Sequence, residues 1–254
     1  MMDKVPKQYR FIDFSDWARP LAVAIAKLLL PLRIHPVVVT LAFLVIGIWT
    51  YFLILKEEYL LAGFLVLIKN VLDSVDGSLA RLRGKPSLVG RYADSIADAI
   101  LNSLWIYGLF QICGNGWVAF AVWLFMHLEV TAMNYFFVIY RHLSGGDTTS
   151  KPLEFKLPKS SIAFPFWLLY VIYYGWQDLV IHIVATIFPY LKRFSRDKFL
   201  LSVLSLWGLG IHMLLLGTLL IFQVPCLFLT VELIGGIIWL IVLFAIPIIK
   251  PRKT

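Results

Sequence analysis

Long apolar runs alternate with short polar breaks along this chain, and most of the breaks are basic. A helix needs about 20 mostly apolar residues to cross a bilayer. The runs 36–55, 59–80, 88–112, 117–140, 199–222 and 227–249 approach or exceed that length, and each predicts a membrane span. Pro20 suits a first helical turn, and Gly114-Asn115-Gly116 reads as a tight turn. The stretch LAVAIAKLLL at 21–30 lies between Pro20 and Pro31 and contains Lys27. It is too short to span and predicts a helix lying in the membrane interface. Before it, Asp13 or Ser15 is placed to cap a short helix.

Residues 161–191 admit two readings: one long helix over 161–188, or two short helices broken at Gly175-Trp176-Gln177-Asp178. Basic residues cluster in 1–35, in 81–91 (Arg81, Arg83, Lys85, Arg91), after the fourth span (Arg141, Lys151, Lys156, Lys159), in 192–198 and at Lys250, Arg252 and Lys253. The intervening turns carry almost none beyond Lys56. Two helices in 161–191 put every basic cluster on one face, which the positive-inside tendency makes cytosolic. The expected fold is therefore all-α, a polytopic membrane helix bundle of six to eight transmembrane helices plus an N-terminal interfacial helix. Eight spans are favoured, with both termini in the cytosol and short, tilted fifth and sixth spans. Residues 1–35 form a cytosolic arm and interfacial helix, and 36–254 a single transmembrane domain.

Composition narrows the class. Sixty per cent of the residues are hydrophobic and 15% charged, which excludes an ordinary soluble domain of 254 residues. The net charge of +8 sits beside the spans, where it suits anionic lipid head groups and no nucleic acid. The N-terminus is polar and mixed in charge, unlike a secretory signal. Cys113 and Cys226 abut outer span ends; they read as small apolar fillers more readily than as a disulfide, and no metal-thiolate spacing occurs.

Against this apolar background stand Asp73, Asp76, Asp94 and Asp98, in the run NVLDSVDGSLARLRGKPSLVGRYADSIADAI. An ionisable residue in a span costs about 2.5–3.5 kcal/mol even on the lenient insertion scale, so a group of them needs a reason. Asp73, Asp76, Gly77 and Ala80 share one helical face, as do Gly90, Asp94 and Asp98 on the next helix. A hairpin turning near Gly84 and Pro86 sets Asp76 level with Asp94 and Asp73 level with Asp98, in two tiers open toward the cytosol. Such acids require cations, and hard divalent ions suit carboxylate ligands best. Gly77, Ala80 and Gly90 leave room beside the acids, and Arg81 can fork onto a phosphate.

The spacing D-x-x-D-G-x-x-A-R-x8-G-x-x-x-D-x-x-x-D, filled at every fixed position over 73–98, resembles the signature of the CDP-alcohol phosphotransferase family. Ile34–Gly47 is similar to that family's first span, with Pro36 and Thr40, and departs from it at Val37, where many members show asparagine. The resemblance implies that the four aspartates hold two divalent metals, magnesium or manganese. It makes Asp98 also the general base, and assigns Gly77, Ala80, Arg81 and Gly90 to the CDP site. The implied reaction moves a phospho-alcohol from its CDP ester to a hydroxyl acceptor and releases CMP, in a membrane enzyme of phospholipid synthesis that works as a homodimer. The membrane is the bacterial inner membrane or the endoplasmic reticulum. CDP-diacylglycerol with a small polar acceptor is the favoured pair. CDP-choline or CDP-ethanolamine acting on a lipid alcohol is the alternative, disfavoured by the context GRYADSIADAI.

Other polar residues carry less. His127, Glu129 and Asn134 could line an acceptor pocket or bridge packed helices, and Glu232 beside Gly235-Gly236 reads as a packing residue. Lys69 could supply positive charge to the acids, and Lys69 or Asn70 could face the site, with helix packing or snorkelling the simpler account; Thr40 could touch a nucleotide but reads more simply as structural. An ion-coupled transporter would need a second copy of the acid motif in the other half, and none is present. An inactive scaffold would not need intact acid spacing.

Overall fold

The computed structural model describes residues 4–84, 87–148, 150–153, 155–158 and 160–249. Lys85, Pro86, Lys159, Lys250, Arg252 and Lys253, which belong to the turn and charge patterns, lie outside them. Among the described residues there are nine α-helices and no strands.

An N-terminal arm with two 3-10 turns leads into α1 (Arg19–Leu29). Asp13 caps the second turn, accepting from Ser15 N at 3.1 Å. Helix α1 buries Ala22 and Ala26 in a small cluster with Val39, Val75 and Leu79, and exposes Leu21 and Leu28 on its other side. Helix α2 (Pro36–Leu55) starts behind a His35 cap. Helix α3 (Tyr59–Leu82) and helix α4 (Leu88–Cys113) follow, the latter capped by the Ser87 hydroxyl, which accepts from Gly90 N at 3.0 Å. Gly114 ends α4 at φ 76°, a conformation that glycine adopts without a Cβ penalty, and Asn115 caps α5 (Gly116–Leu143).

Residues 161–191 correct the two-helix expectation. Helix α6 (Phe164–Ile187) runs unbroken for 24 residues through Gly175-Trp176-Gln177-Asp178. The polar residues there do not break it because they are satisfied in place. Gln177 donates to the Tyr173 carbonyl at 2.8 Å and accepts from Thr131 Oγ1 at 2.8 Å. Gly175 remains helical, with Phe155 packed over it.

Near the start of α6, Tyr170 faces the same cavity as Ser150 and Lys151, and Asp147 N donates to the Lys4 carbonyl at 3.2 Å. After α6 a 3-10 turn (Pro189–Ser195) packs Phe194 on Phe136, and Lys198 donates to the Gln8 carbonyl at 2.6 Å. The segments before and after α6 thus both touch the arm.

Helix α7 (Lys198–Leu204) and helix α8 (Leu209–Ile221) form the next crossing, interrupted by a 3-10 turn at Ser205–Trp207. The interruption is where the arm docks. Phe14 N donates to Ser205 Oγ at 3.0 Å and Trp17 Nε1 to the Gly210 carbonyl at 2.9 Å. Gly208 and Gly210 lie so close to Ser15 that a Cβ at either would collide with it. Helix α9 (Pro225–Ile249) is the last helix among the described residues.

Six segments among the described residues are long and apolar enough to cross a membrane, including α6 and the composite 198–221. Helix α3 is as long but is interrupted by Lys69, Asp73, Asp76 and Arg81. Apolar side chains such as Val45 and Trp49 on α2, Ile172 and Ile183 on α6 and Ile237 and Ile241 on α9 face outward, as a lipid-facing rim does. The chain is a multi-pass membrane protein.

Cys113 and Cys226 form a disulfide that joins the end of α4 to the start of α9 on the side away from the arm. This corrects the reading of both as apolar fillers, which local sequence could not overturn because the partners are 113 positions apart.

Glu129, His212 and Glu232 meet inside the bundle, one each from α5, α8 and α9. His212 Nδ1 lies 3.0 Å from both Glu232 oxygens, and its Nε2 lies 3.4 Å from Glu129 Oε2. Glu129 and Glu232 are thus contacts between packed helices. Replacing His212 by Leu leaves two buried carboxyl groups without their imidazole partner. The expected cost is about 3–5 kcal/mol, read as a lowered midpoint of thermal unfolding in detergent. Adding Glu129→Gln and Glu232→Gln to that variant should recover most of the loss.

Candidate active site

Helix α2 packs along both α3 and α4, whereas α3 and α4 touch each other little. The aspartates therefore face one another across a gap. Asp73, Asp76 and Asp94 each bring a carboxylate oxygen to within 4.8 Å of the others. Asp94 Oδ1 is buried without a hydrogen-bond partner, and Asp76 Oδ2 accepts from Thr40 Oγ1 at 2.6 Å.

Asp98 lies one turn deeper. It is paired with the Lys69 ammonium, which also lies 3.6 Å from Asp73. Lys69 is fully buried, with its ammonium 4.8 Å from the centre of the Phe43 ring. This corrects the snorkelling expectation: the side chain points into the gap, where its charge is compensated, and not out to the interface. The two tiers are present in modified form. Asp76 and Asp94 face each other above, and Lys69 bridges Asp73 and Asp98 below.

Three cavities meet at the acids. The central one, about 330 Å³, is lined by Asp73, Asp76, Asp94 and Asn70 together with Arg19 and Lys151. A second, about 280 Å³, is lined by Gly77, Ala80, Arg81 and Gly90, with His35, Pro36, Val37, Arg91 and Arg141. All four small or basic motif positions named from the sequence thus share one wall. Arg81 Nε and Arg141 Nε and Nη2 are buried with no hydrogen-bond partner, so this cavity presents unsatisfied guanidinium N–H groups. A Cβ on Gly77 would lie 3.4 Å from the Arg81 guanidinium, and one on Gly90 would press on the capping Ser87 hydroxyl at 2.9 Å. Gly90 thus has a local reason, the helix cap, beside any ligand role. The third cavity, about 310 Å³, lies on the far side of Asp98. His127 and Asn134 line it.

On the arm, Asp13 and Lys4 border both the central and third cavities. Enclosure by the bundle pushes the Asp13 carboxyl above the usual range, against its bond from Ser15. Enclosure likewise pushes the Lys4 ammonium down, against the pull of Asp16 and Asp13. Neither residue carries a motif that would have marked it in the sequence. Their placement depends on the docking of the arm against α8.

The donor set fits a divalent cation. Three carboxylates converge, one keeps a buried oxygen unsatisfied, and a hydroxyl orients another. The second three-ligand group, Glu129, His212 and Glu232, lines none of these three cavities, and its imidazole lies within 3.4 Å of both carboxyl groups.

A membrane helix bundle that holds clustered carboxylates opposite arginines with unsatisfied N–H atoms suits a charged phosphate ester. The sequence profile of the CDP-alcohol phosphatidyltransferase family matches residues 33–190, and the chain belongs to this family. The match covers α2 to α6, the helices that carry the acids and the second cavity. No curated protein and no solved structure matches the chain. Members of the family transfer phosphate-containing groups of CDP-alcohols and use divalent metals.

Replacing Thr40 by Val removes the hydroxyl that orients Asp76. The expected outcome is an approximately tenfold rise in the Mg2+ or Mn2+ concentration needed for half-saturation, by calorimetric titration, with unchanged helicity.

Proposed function

We propose that this protein is a metal-dependent CDP-alcohol phosphotransferase. In this reading it moves the phosphatidyl group of CDP-diacylglycerol to a small polar alcohol and releases CMP. The observation that carries the reading is the pairing of converged carboxylates with the unsatisfied N–H groups of Arg81 and Arg141 across a single opening.

Asp73, Asp76, Asp94 and Asp98 would hold two divalent ions, Mg2+ or Mn2+. When bound, the ions offset the charge of the pyrophosphate and of the departing CMP. Arg81 and Arg141 would bind phosphate oxygens through the guanidinium nitrogens that lack a hydrogen-bond partner. Gly77, Ala80 and Gly90 would let the nucleotide approach the backbone of α3 and α4. The acceptor oxygen attacks the phosphorus that bears the diacylglycerol. A new P–O bond forms as the P–O bond to CMP breaks, and the acceptor proton passes to Asp98. Lys69 compensates the Asp98 charge and fixes the position of its carboxylate, so the base would act mainly by placement.

The arm side is the proposed cytosolic side. Basic residues from Lys4 to Lys198 gather there, and the opposite end carries Lys56 and the Cys113–Cys226 disulfide, a bond that persists in oxidising compartments. A homodimer is the assembly that the family resemblance implies.

Asp98→Asn should lower CMP release from CDP-diacylglycerol by about 10²–10⁴-fold while leaving CDP-diacylglycerol binding measurable. Chelation by EDTA should abolish turnover, and added Mg2+ or Mn2+ should restore it. Full turnover by Asp98→Asn would remove the base assignment. Full turnover in EDTA would remove the metal assignment.

A further inference from the structure

The N-terminal arm is fastened more tightly than a tether needs. Its carbonyls at Lys4, Gln8 and Tyr9 accept from Asp147 N at 3.2 Å, Lys198 Nζ at 2.6 Å and the Tyr140 hydroxyl at 2.6 Å. Phe11 packs edge-on against Phe137 and Tyr140, with ring centres 5.6 and 5.8 Å apart. Gly146 leaves room for the chain, since a Cβ there would lie 2.5 Å from the Lys4 carbonyl. With the bonds of Phe14 and Trp17, these contacts tie the arm to α5, α7 and α8. Ordering an extended segment costs conformational entropy, so its fixed course calls for a reason.

The reason is the charge that the arm carries to the acids. Lys4 lines the central cavity beside Asp73, Asp76 and Asp94. Other cations there are occupied or open to solvent: Arg19 is paired with Asp16, and Lys151 is exposed. No carboxylate among the described residues forms an ion pair with the Lys4 ammonium. It lies 5.7 Å from the centre of the Phe137 ring, and the Arg141 guanidinium lies 5.7 Å from the same ring. Enclosure outweighs the pull of Asp16 and Asp13 and holds the ammonium below its ordinary value. An enclosed ammonium short of counter-charge is satisfied by a bound anion.

Position selects the anion. Lys4 lines the central and third cavities, whereas Gly77, Ala80, Arg81 and Gly90 form the wall of the second. In the phosphotransferase reading the nucleoside phosphate lies toward the second cavity, and the phosphate to be transferred lies toward Asp98. Lys4 is on the side of the transferred phosphate.

We propose that the docked arm is part of the active site, and that its Lys4 ammonium binds the phosphate of the donor that is transferred. This rests on the phosphotransferase reading. It adds a binding residue from outside residues 33–190, the segment that matches the family.

The test is calorimetric titration of the purified chain in detergent with Mg2+, with CDP-diacylglycerol and CMP as separate ligands. CMP carries the nucleoside phosphate and lacks the transferred one. Lys4→Met should raise the Kd for CDP-diacylglycerol about tenfold and leave the Kd for CMP within about twofold. Lys4→Gln, which also lacks the charge, should do the same, and Lys4→Arg, which keeps it, should recover most of the loss. An unchanged Kd for CDP-diacylglycerol in the two uncharged variants would overturn the inference and keep the family reaction. Equal loss of CMP binding, or no recovery in Lys4→Arg, would mark a structural side chain and overturn it as well. Failure of the unaltered protein to bind CDP-diacylglycerol would overturn the inference together with the proposed donor.

Discussion

The buried ammonium of Lys69 is the constraint on which the active-site geometry depends. It sits between the acids of two helices that otherwise touch little, in contact with Asp98 and near Asp73, with the face of Phe43 beside it. Several carboxylates at this range in a medium of low dielectric would push α3 and α4 apart. A single cation on α3, held against α2, lets the gap stay narrow enough for Asp73, Asp76 and Asp94 to converge while remaining open as a cavity. Breaking such a buried pair by removing one member is strongly destabilising, because the other charge is left without compensation.

Around that centre the molecule is one-sided. The arm docks on the interruption between α7 and α8 and touches the segments that flank α6, and the cavities open among these parts. The far end is simpler, with tight turns and a covalent tie. Chemistry at one end and closure at the other follow from the same distribution of residues: polar groups that can be satisfied by neighbours or ligands near the arm, apolar packing beyond.

Much of this was legible from the chain because helical periodicity maps sequence spacing directly onto a face. The offsets from Asp73 to Arg81 and from Gly90 to Asp98 placed side chains on common faces before any tertiary contact was known, and Gly77, Ala80, Arg81 and Gly90 do share one cavity. Helix limits were legible where a cap or a glycine fixes them, as at Ser87 and Gly114. What depended on distant partners was not. Gln177 reads as a helix interruption until Thr131 is beside it. Lys69 reads as a snorkelling residue until Asp98, on another helix, turns it inward. Asn102 and Asp178 look like scattered polar positions in two spans, and only the packing of α4, α5 and α6 brings them to one wall.

The Cys113–Cys226 bond has a mechanical meaning. It ties the first half of the bundle, through the end of α4, to the last helix, at the end farthest from the acids. The bond fixes the distance between the end of α4 and the start of α9, so any relative motion of those two helices is smallest at that point and grows toward their other ends.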